Sequence, residues 1–436
     1  MPSFRSRSVI LPDGLRPATV RHENGRIVEI GDGPAHDDFG DLVVMPGLVD
    51  SHVHVNDPGR AGWEGFRSAT RAAAVGGTTT IVDMPLNSIP PTVDPEALAA
   101  KRAAAEGAIA VDVAFWGGLI PGSEPWLESL VDSGVCGFKS FLVDSGVPEF
   151  PPMTVDGLEA ALPELARLRV PLLLHAEDPA RLHAMTGDPR SYDAYLESRP
   201  SECEGEAVAA AVSLAARTGG HIHVLHVSSG DAAEVLRGAG PEVSGETCPH
   251  YLTFTADQIG PGATEYKCAP PIRGGEHREA LWEALADGTL AMIVSDHSPS
   301  PPELKAVDTG DFGAAWGGIS SLQIRLPATW SEASRRGLGP ERLVEWLAAA
   351  PARLAGLERK GAIEVGRDAD FVVWDPDGST EVVGAGLEHR HPLTPYEGMR
   401  LRGKVEMVTL GGQTLYTPES GVVGFGGRML ERGWST

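Results

Sequence analysis

The chain has 436 residues, 42% of them hydrophobic, and a formal net charge of −24, so it can bury a large core but is a poor partner for nucleic acid or an anionic membrane. Its N-terminus lacks the apolar stretch of a signal peptide, and no run reaches the roughly 20 apolar residues that span a membrane. The four cysteines form no C-x-x-C pair, and we therefore expect a cytoplasmic protein with reduced thiols.

The first 45 residues are predicted to form short strands separated by turns. Asn24 and Gly25 lie between two alternating segments, which is the pattern of a two-residue hairpin turn. From residue 46 onwards strands alternate with helices, and eight strand-like segments follow one another: GLVDSHVHV, TTTIVDMP, AIAVDVAFWGG, GVCGFKSFL, RVPLLLHAE, HIHVLHVSS, PEVSGETCPH and TLAMIVSDHS. Strands that alternate with helices indicate a parallel sheet, and eight of them predict a closed barrel.

Strand-like segments return near the C-terminus, in GAIEVGRDADFVVWDP and GKVEMVTLGGQTLY. We expect them to pair with the strands of the N-terminal segment. The predicted fold class is therefore α/β, with a (β/α)8 barrel over residues 46–359 and a small composite β-sandwich built from residues 1–45 and 360–436.

Metal-ligating side chains stand at the ends of several predicted barrel strands. His52 and His54 are two residues apart in the first strand, so both imidazoles point to one face and can reach one ion. Two polar residues at a strand end are the alternative interpretation. His175, His226 and Asp296 close the fifth, sixth and eighth strands. Because the C-terminal ends of barrel strands carry the catalytic groups, this placement favours a shared metal site.

Three histidines lie in or next to the sixth strand. His221 and His223 have the opposite pleat parity to His226, so we expect only one of the two sets to face the barrel interior. We assign His226 to the site because it lies nearest the end of the strand.

Lys139 stands within the apolar segment GFKSFL of the fourth strand. A lysine with a buried stem, whose amine reaches a carboxylate or solvent, is the alternative interpretation. Beside two metals, burial lowers the pKa of the amine, and the neutral amine can add carbon dioxide to form a carbamate (N6-carboxylysine) that bridges the cations. The six residues predict a two-metal hydrolytic site in which Asp296 accepts a proton from a metal-bridged hydroxide and returns it to a leaving nitrogen.

The ligand types leave the metal itself open. Histidine, carbamate and carboxylate suit two zinc ions, our first expectation, and equally cobalt, nickel or manganese. The chain has no P-loop, H-E-x-x-H, G-x-S-x-G or Rossmann fingerprint, which disfavours phosphate- and dinucleotide-binding functions.

From about Val44 to Gly403 the chain resembles the cyclic amidohydrolases, a group that includes dihydroorotases, hydantoinases, dihydropyrimidinases and allantoinases. Eight segments resemble the allantoinase subgroup: HVHVNDPGRAGWEGF, GGTTTIVDMPLNSIPPT, GFKSFLVDSGVPEFPPMT, ETCPHYLTF, KCAPPIR, SDHSPSP, AWGGISSLQ and LTPYEGMRLRGKV. The resemblance implies the same six metal ligands with Lys139 carboxylated, a sandwich built from both termini, and a homotetramer. It also implies hydrolysis of the hydantoin-ring amide of allantoin to allantoate, a step of ureide breakdown.

Two positions separate this subgroup from its neighbours. Dihydroorotases resemble H-x-H-x-R, in which the arginine holds a substrate carboxylate, whereas the corresponding residue here is Asn56. Hydantoinases and dihydropyrimidinases typically carry a tyrosine five residues after the bridging lysine, where this chain has Asp144. A small neutral cyclic ureide needs hydrogen bonds rather than an ion pair. The expected substrate contacts are Asn87, Ala269, Gly317 and Gly318. For Asn87 a capping turn is an equally good interpretation.

Two other functions stay open at this point. A hydantoinase or dihydropyrimidinase would use the same metals on another cyclic amide. A non-catalytic scaffold is disfavoured because all six ligand types are present.

Overall fold

A computed structural model describes residues 1–433, so the last three residues of the predicted sandwich range, 434–436, lie outside the described residues. The strands in chain order are β1 (Ser3–Leu11), β2 (Gly14–Glu23), β3 (Arg26–Gly31), β4 (Asp37–Asp38), β5 (Val43–Pro46), β6 (Leu48–Val53), β7 (Thr78–Asp83), β8 (Asp112–Phe115), β9 (Gly117–Gly118), β10 (Phe138–Phe141), β11 (Leu172–His175), β12 (Ile222–Val224), β13 (Val243–Thr247), β14 (Met292–Ile293), β15 (Phe371–Glu381), β16 (Arg400–Leu410), β17 (Gln413–Thr417) and β18 (Gly421–Val422).

Helices fill most of the intervals between the barrel strands. They are α1 (Phe66–Val75), α2 (Pro95–Ala105), α3 (Leu127–Asp132), α4 (Val155–Leu168), α5 (Tyr192–Ser198), α6 (Glu202–Thr218), α7 (Gly230–Arg237), α8 (Pro249–Thr253), α9 (Gly275–Asp287), α10 (Arg325–Arg335), α11 (Glu341–Val344) and α12 (Ala350–Ala355). Short 3-10 turns cover Glu124–Trp126, Ala256–Gln258, Thr264–Tyr266, Leu322–Ile324 and Gly384–Gly386, and a π-helical turn covers Glu345–Ala349. Within residues 1–433, no helix has both the length and the apolar character needed to cross a bilayer.

Eight parallel strands form the barrel. β6, β7 and β8 pair in that order, and β9 to β14 form a second parallel series. β8 and β9 are one strand interrupted at Trp116, and a parallel bridge between Val53 and His297 joins the first strand to the chain just after the last. Each of the eight strands predicted from the sequence is present, and the (β/α)8 barrel is confirmed.

Helix α4 illustrates how the outer layer follows from the sequence. The Thr154 side chain accepts a hydrogen bond from the backbone N–H of Gly157, which caps the first turn. Leu158, Leu162 and Leu165 recur at helical spacing and are buried. The apolar stripe therefore packs inward and leaves the polar face of α4 in solvent.

The strands of both chain ends form one nine-stranded sheet beside the barrel. Its order is β18-β17-β16-β15-β5-β1-β2-β3, with β4 paired to β1, and the two ends meet where β5 runs antiparallel to β15. This sheet has its own hydrophobic cluster, to which Phe4, Val20 and Phe371 belong. The predicted hairpin joins β2 to β3, and Asn24 and Gly25 both have positive φ, 50° and 78°, as a type I′ turn requires.

A buried ion cluster ties this sheet to the barrel. Lys360 Nζ lies 2.7 Å from Asp112 Oδ2 in β8 and 2.6 Å from Asp370 Oδ2 just before β15. Asp368 is 2.9 Å from the same nitrogen, and Arg428 adds a second cation. Burial alone would lower the pKa of Lys360, but the three carboxylates overcome it and raise that pKa above its ordinary value.

Replacing Lys360 with methionine is expected to lower the free energy of unfolding by about 3–5 kcal/mol, because removing one partner leaves buried charge uncompensated. Denaturant titration measures the change. Lys404→Met is the matched control, since Lys404 pairs with Glu406 at the surface and its loss is expected to cost less than about 1 kcal/mol. Equal effects of the two substitutions would contradict this role for Lys360.

Candidate metal centre

The fold brings all six predicted metal ligands together at the C-terminal end of the barrel. His52 is in β6 with His54 just beyond it, and Lys139 is in β10. His175 ends β11, while His226 and Asp296 lie shortly after β12 and β14. Every one of them is buried. Residues more than 200 positions apart in sequence are thus neighbours because barrel strand ends converge.

One half of the cluster surrounds Asp296. Its Oδ1 atom lies 3.1 Å from His52 Nε2 and 3.5 Å from His54 Nε2. Ligand atoms about 2.0–2.1 Å from a tetrahedral metal stand about 3.3 Å from each other, so these three atoms have the spacing of metal ligands. Lys139 Nζ is 3.4 Å from His52 Nε2 and faces the same space.

The other half is formed by His175 and His226. His175 Nδ1 lies 3.0 Å from His226 Nε2, and His175 Nε2 lies 2.7 Å from the Glu177 carboxylate. Because the carboxylate can only accept, a neutral His175 donates through Nε2 and turns the lone pair of Nδ1 towards His226. The His52 and His226 rings have centroids 5.4 Å apart, so the two halves adjoin.

Two of the predicted ligands have an unusual backbone. His226 has a φ of 37° and Asp296 a φ of 42°, both in the left-handed region that side chains rarely occupy. Such positions cost about 1–3 kcal/mol each and cluster at functional sites. Here they turn the chain out of its strand and aim both side chains at the common space.

The electrostatics of the cluster favour cation binding. Burial lowers the pKa of His54 to about 3, with the Lys139 charge acting in the same direction, and burial also lowers the pKa of His226. Neutral imidazoles keep the lone pairs that metals need. Burial likewise lowers the pKa of Lys139 to about 8. For Asp296 burial raises the pKa, but the neighbouring His52 outweighs burial and the carboxyl is held ionised.

Two carboxylates that were not singled out from the sequence hold two of the predicted ligands in place. Glu246 in β13 lies 2.6 Å from His52 Nδ1. Glu177 contacts His175 and accepts a hydrogen bond from Arg199 Nη1 at 2.5 Å. Hydrogen bonds of this kind fix the tautomer and orientation of metal-bound imidazoles. The sequence held a signal for both. Glu177 is two residues after His175, a predicted ligand, and Glu246 is an acidic residue within a barrel strand that has no predicted ligand.

The prediction that only one of the two sets of histidines around the sixth strand faces the barrel interior was wrong. His223 Nε2 lies 3.1 Å from Glu246 Oε2, so His223 faces the barrel interior together with His226. The strand ends at Val224, and the left-handed backbone of His226 breaks the pleat between the two histidines. Alternation holds only while the chain stays extended.

A cavity of about 320 Å³ opens onto the cluster, and all four predicted substrate contacts line it: Asn87, Ala269, Gly317 and Gly318. Some of their polar groups are already used. The N–H of Gly318 donates to the Lys267 carbonyl at 2.9 Å, and the Asn87 amide donates to Asn56 Oδ1 at 2.9 Å. At these two positions the carbonyl of Gly318 and the side-chain carbonyl of Asn87 are left to meet a ligand.

The cavity wall also carries residues that the sequence analysis did not single out. Arg199 and Lys267 supply positive charge, and Tyr195 and Trp316 supply aromatic surface. They come from α5, its cap and two loops, where no periodic pattern marks a residue in advance. Asp144, at the position of the hydantoinase tyrosine, lies on the same wall.

Two further groups of metal-ligating residues occur within the described part of the chain. Asp112, Asp368 and Asp370 form one of them, but Lys360 and Arg428 neutralise it. The other consists of Cys248, His250 and Asp296 and shares its carboxylate with the main cluster. Of these groups, the cluster at the cavity floor therefore offers a cation the most ligand atoms.

The chain matches one family model and is similar to several known proteins. A family model described as the amidohydrolase family matches residues 43–415. The allantoinase of Streptomyces avermitilis is 50% identical over 424 residues, which cover 94% of each chain. The allantoinase of Arabidopsis thaliana is 44% identical, covering 94% of this chain and 87% of its own, and that of Saccharomyces cerevisiae is 41% identical, covering 96% of each.

Solved structures resemble the whole chain. The L-hydantoinase (dihydropyrimidinase) from Arthrobacter aurescens superposes with a TM-score of 0.92 at 31% identity, covering 99% of this chain and 100% of that one. A D-hydantoinase from a Bacillus species, strain AR9, gives a TM-score of 0.89 at 30% identity, with 99% of each chain covered.

Proposed function

The chain belongs to the amidohydrolase family and is a hydrolase of cyclic amides, and from that premise we propose that it opens the hydantoin ring of allantoin to give allantoate. The observation that carries the proposal is the convergence of four imidazoles, one carboxylate and one buried lysine at the floor of a cavity sized for a small ring. Relatives named allantoinase, 41–50% identical over nearly the whole chain, support the choice of substrate.

The proposed cofactors are two divalent metals, zinc first among them, with cobalt, nickel and manganese as chemically acceptable substitutes. One ion is assigned to His52, His54 and Asp296, and the other to His175 and His226. When bound, the metals supply an acidified water and a Lewis acid for the substrate carbonyl. Imidazole nitrogens and one ionised carboxylate, all buried, fit such ions.

Lys139 is proposed to link the two halves as a carbamate. The neutral amine adds to carbon dioxide, a C–N bond forms, and one proton is released, so the side chain changes from a neutral amine to an anion whose two oxygens could bind cations. The lowered pKa of Lys139, about 8, supports this, because more of the amine is neutral near physiological pH than for an exposed lysine.

Asp296 is proposed as the catalytic acid–base. Its carboxylate is ionised in the resting site, so it can take a proton from the attacking water. The water oxygen bonds to the ring carbonyl carbon, the C–N bond breaks, and Asp296 returns the proton to the leaving nitrogen. Asn87, the backbone at Ala269 and Gly317, and the Gly318 carbonyl are proposed to orient the neutral ring.

A hydantoinase or dihydropyrimidinase is the second candidate, favoured by the solved structures that share the fold. Purified protein is to be assayed on allantoin, hydantoin and dihydrouracil, each with and without a chelator. We expect the highest kcat/KM on allantoin and loss of turnover on chelation, restored by added divalent metal. A clear preference for dihydrouracil contradicts the proposed substrate.

We also propose that the protein is a homotetramer and that it is located in the cytoplasm. The homotetramer rests on the sequence resemblance, and the cytoplasmic location rests on the composition of the chain.

A further inference from the structure

We propose that His223 is a positioning residue for the metal centre, acting through Glu246 on His52. The three side chains form a continuous buried line: His52 Nδ1 is 2.6 Å from Glu246 Oε1, and Glu246 Oε2 is 3.1 Å from His223 Nε2. None of the three is accessible to solvent. The inference rests on the proposed metal ligands but is independent of the proposed substrate.

Glu246 determines which nitrogen of His52 is available to a cation. A carboxylate only accepts, so the bond at Oε1 requires the proton on His52 Nδ1. In a neutral His52 ring the lone pair is then on Nε2, the atom that lies 3.1 Å from Asp296 Oδ1. The alternative tautomer would direct an N–H at the metal position and would prevent coordination.

His223 in turn fixes Glu246. Each carboxylate oxygen receives one imidazole donor, Oε1 from His52 and Oε2 from His223. Without His223, one oxygen of a fully buried anion would have lost its donor. The carboxylate would then be free to rotate away from His52.

The other ring nitrogen of His223 is held by Ser244 in the neighbouring strand β13. Its Nδ1 lies 2.7 Å from Ser244 Oγ, and the same hydroxyl is 3.0 Å from His221 Nε2. His221 therefore contacts the same hydroxyl as His223, but it does not belong to the line of His52, Glu246 and His223. That makes His221, which immediately precedes β12, a matched control.

The test measures metal affinity by competition with a chromogenic zinc chelator, using the full chain stripped and reloaded with Zn²⁺. His223→Leu, which keeps volume but removes the donor, is expected to weaken zinc affinity about 10–100-fold. His223→Gln keeps an N–H and is expected to lose less, and His221→Gln is expected to bind zinc as the parent does. Parent-like affinity in His223→Leu, or equal losses in the Leu and Gln variants, would overturn the proposal.

A double-mutant cycle with Glu246→Gln separates positioning from general damage. If His223 acts through Glu246, the loss of affinity in the double variant is less than the product of the two single losses. Losses that multiply fully would overturn the proposal, and the cycle remains informative with His223→Gln if His223→Leu does not fold. Parent protein that binds no zinc would refute the proposed metal centre itself, which is a distinguishable result.

Discussion

Lys139→Met is expected to lower kcat/KM on allantoin by about 1,000-fold or more. Methionine keeps the buried stem of the side chain but cannot form a carbamate, so the two halves of the cluster lose their link and the site loses negative charge. Removing several kcal/mol of transition-state stabilisation by the metals accounts for a loss of this size. Steady-state kinetics together with the metal content of the purified variant measure it.

Lys101→Met is the control for loss of a buried lysine. Lys101 Nζ lies 2.7 Å from Asp83 Oδ2, and both side chains are fully buried outside the metal cluster. Its replacement is expected to lower stability but to leave metal content unchanged. If Lys139→Met retained both metals and full turnover, the bridging role of Lys139 would be excluded.

Asp296→Asn has the second largest expected effect. Asparagine preserves the shape of the side chain but can neither accept the proton from water nor supply an anionic ligand. Loss of general acid–base catalysis alone is expected to lower kcat about 100- to 10,000-fold. We expect the fall in kcat to exceed any change in KM, because Asp296 exchanges the proton in the transition state and not when the substrate binds.

Asp144→Asn provides the comparison for this variant. Asp144 lines the same cavity, but its carboxylate accepts from the backbone N–H of Gly146 at 3.0 Å and lies at an exposed position. Its neutralisation is expected to change kcat less than tenfold, within the range of a peripheral contact. Comparable losses in the two variants would point to the total charge of the cavity rather than to a specific base.

The sequence predicted the barrel and all six clustered residues for one physical reason. A buried parallel strand is a short apolar run, so a histidine, lysine or aspartate at its end is conspicuous, as with His175 after VPLLL. The spacing of His52 and His54 adds a shared face. Because barrel strand ends converge, correct strands were sufficient to place the six predicted ligands together.

The supporting contacts could not be predicted in the same way. The hydrogen bond between His52 and Glu246 joins residues 194 positions apart. It depends on which side chains meet across the barrel interior. For His223 the failure was local, since the pleat ends at Val224 and the positive φ of His226 resets the side-chain direction. Cavity residues such as Trp316 lie on loops, where sequence periodicity carries no directional information.

X-ray diffraction from zinc-loaded crystals, recorded at the zinc absorption edge, tests the two-cation account most directly. We expect two anomalous peaks, one beside His52, His54 and Asp296 and the other beside His175 and His226, with carboxylated Lys139 density between them. A fully loaded protein with no anomalous peak among these side chains, or with unmodified Lys139 turned away from them, would contradict the account.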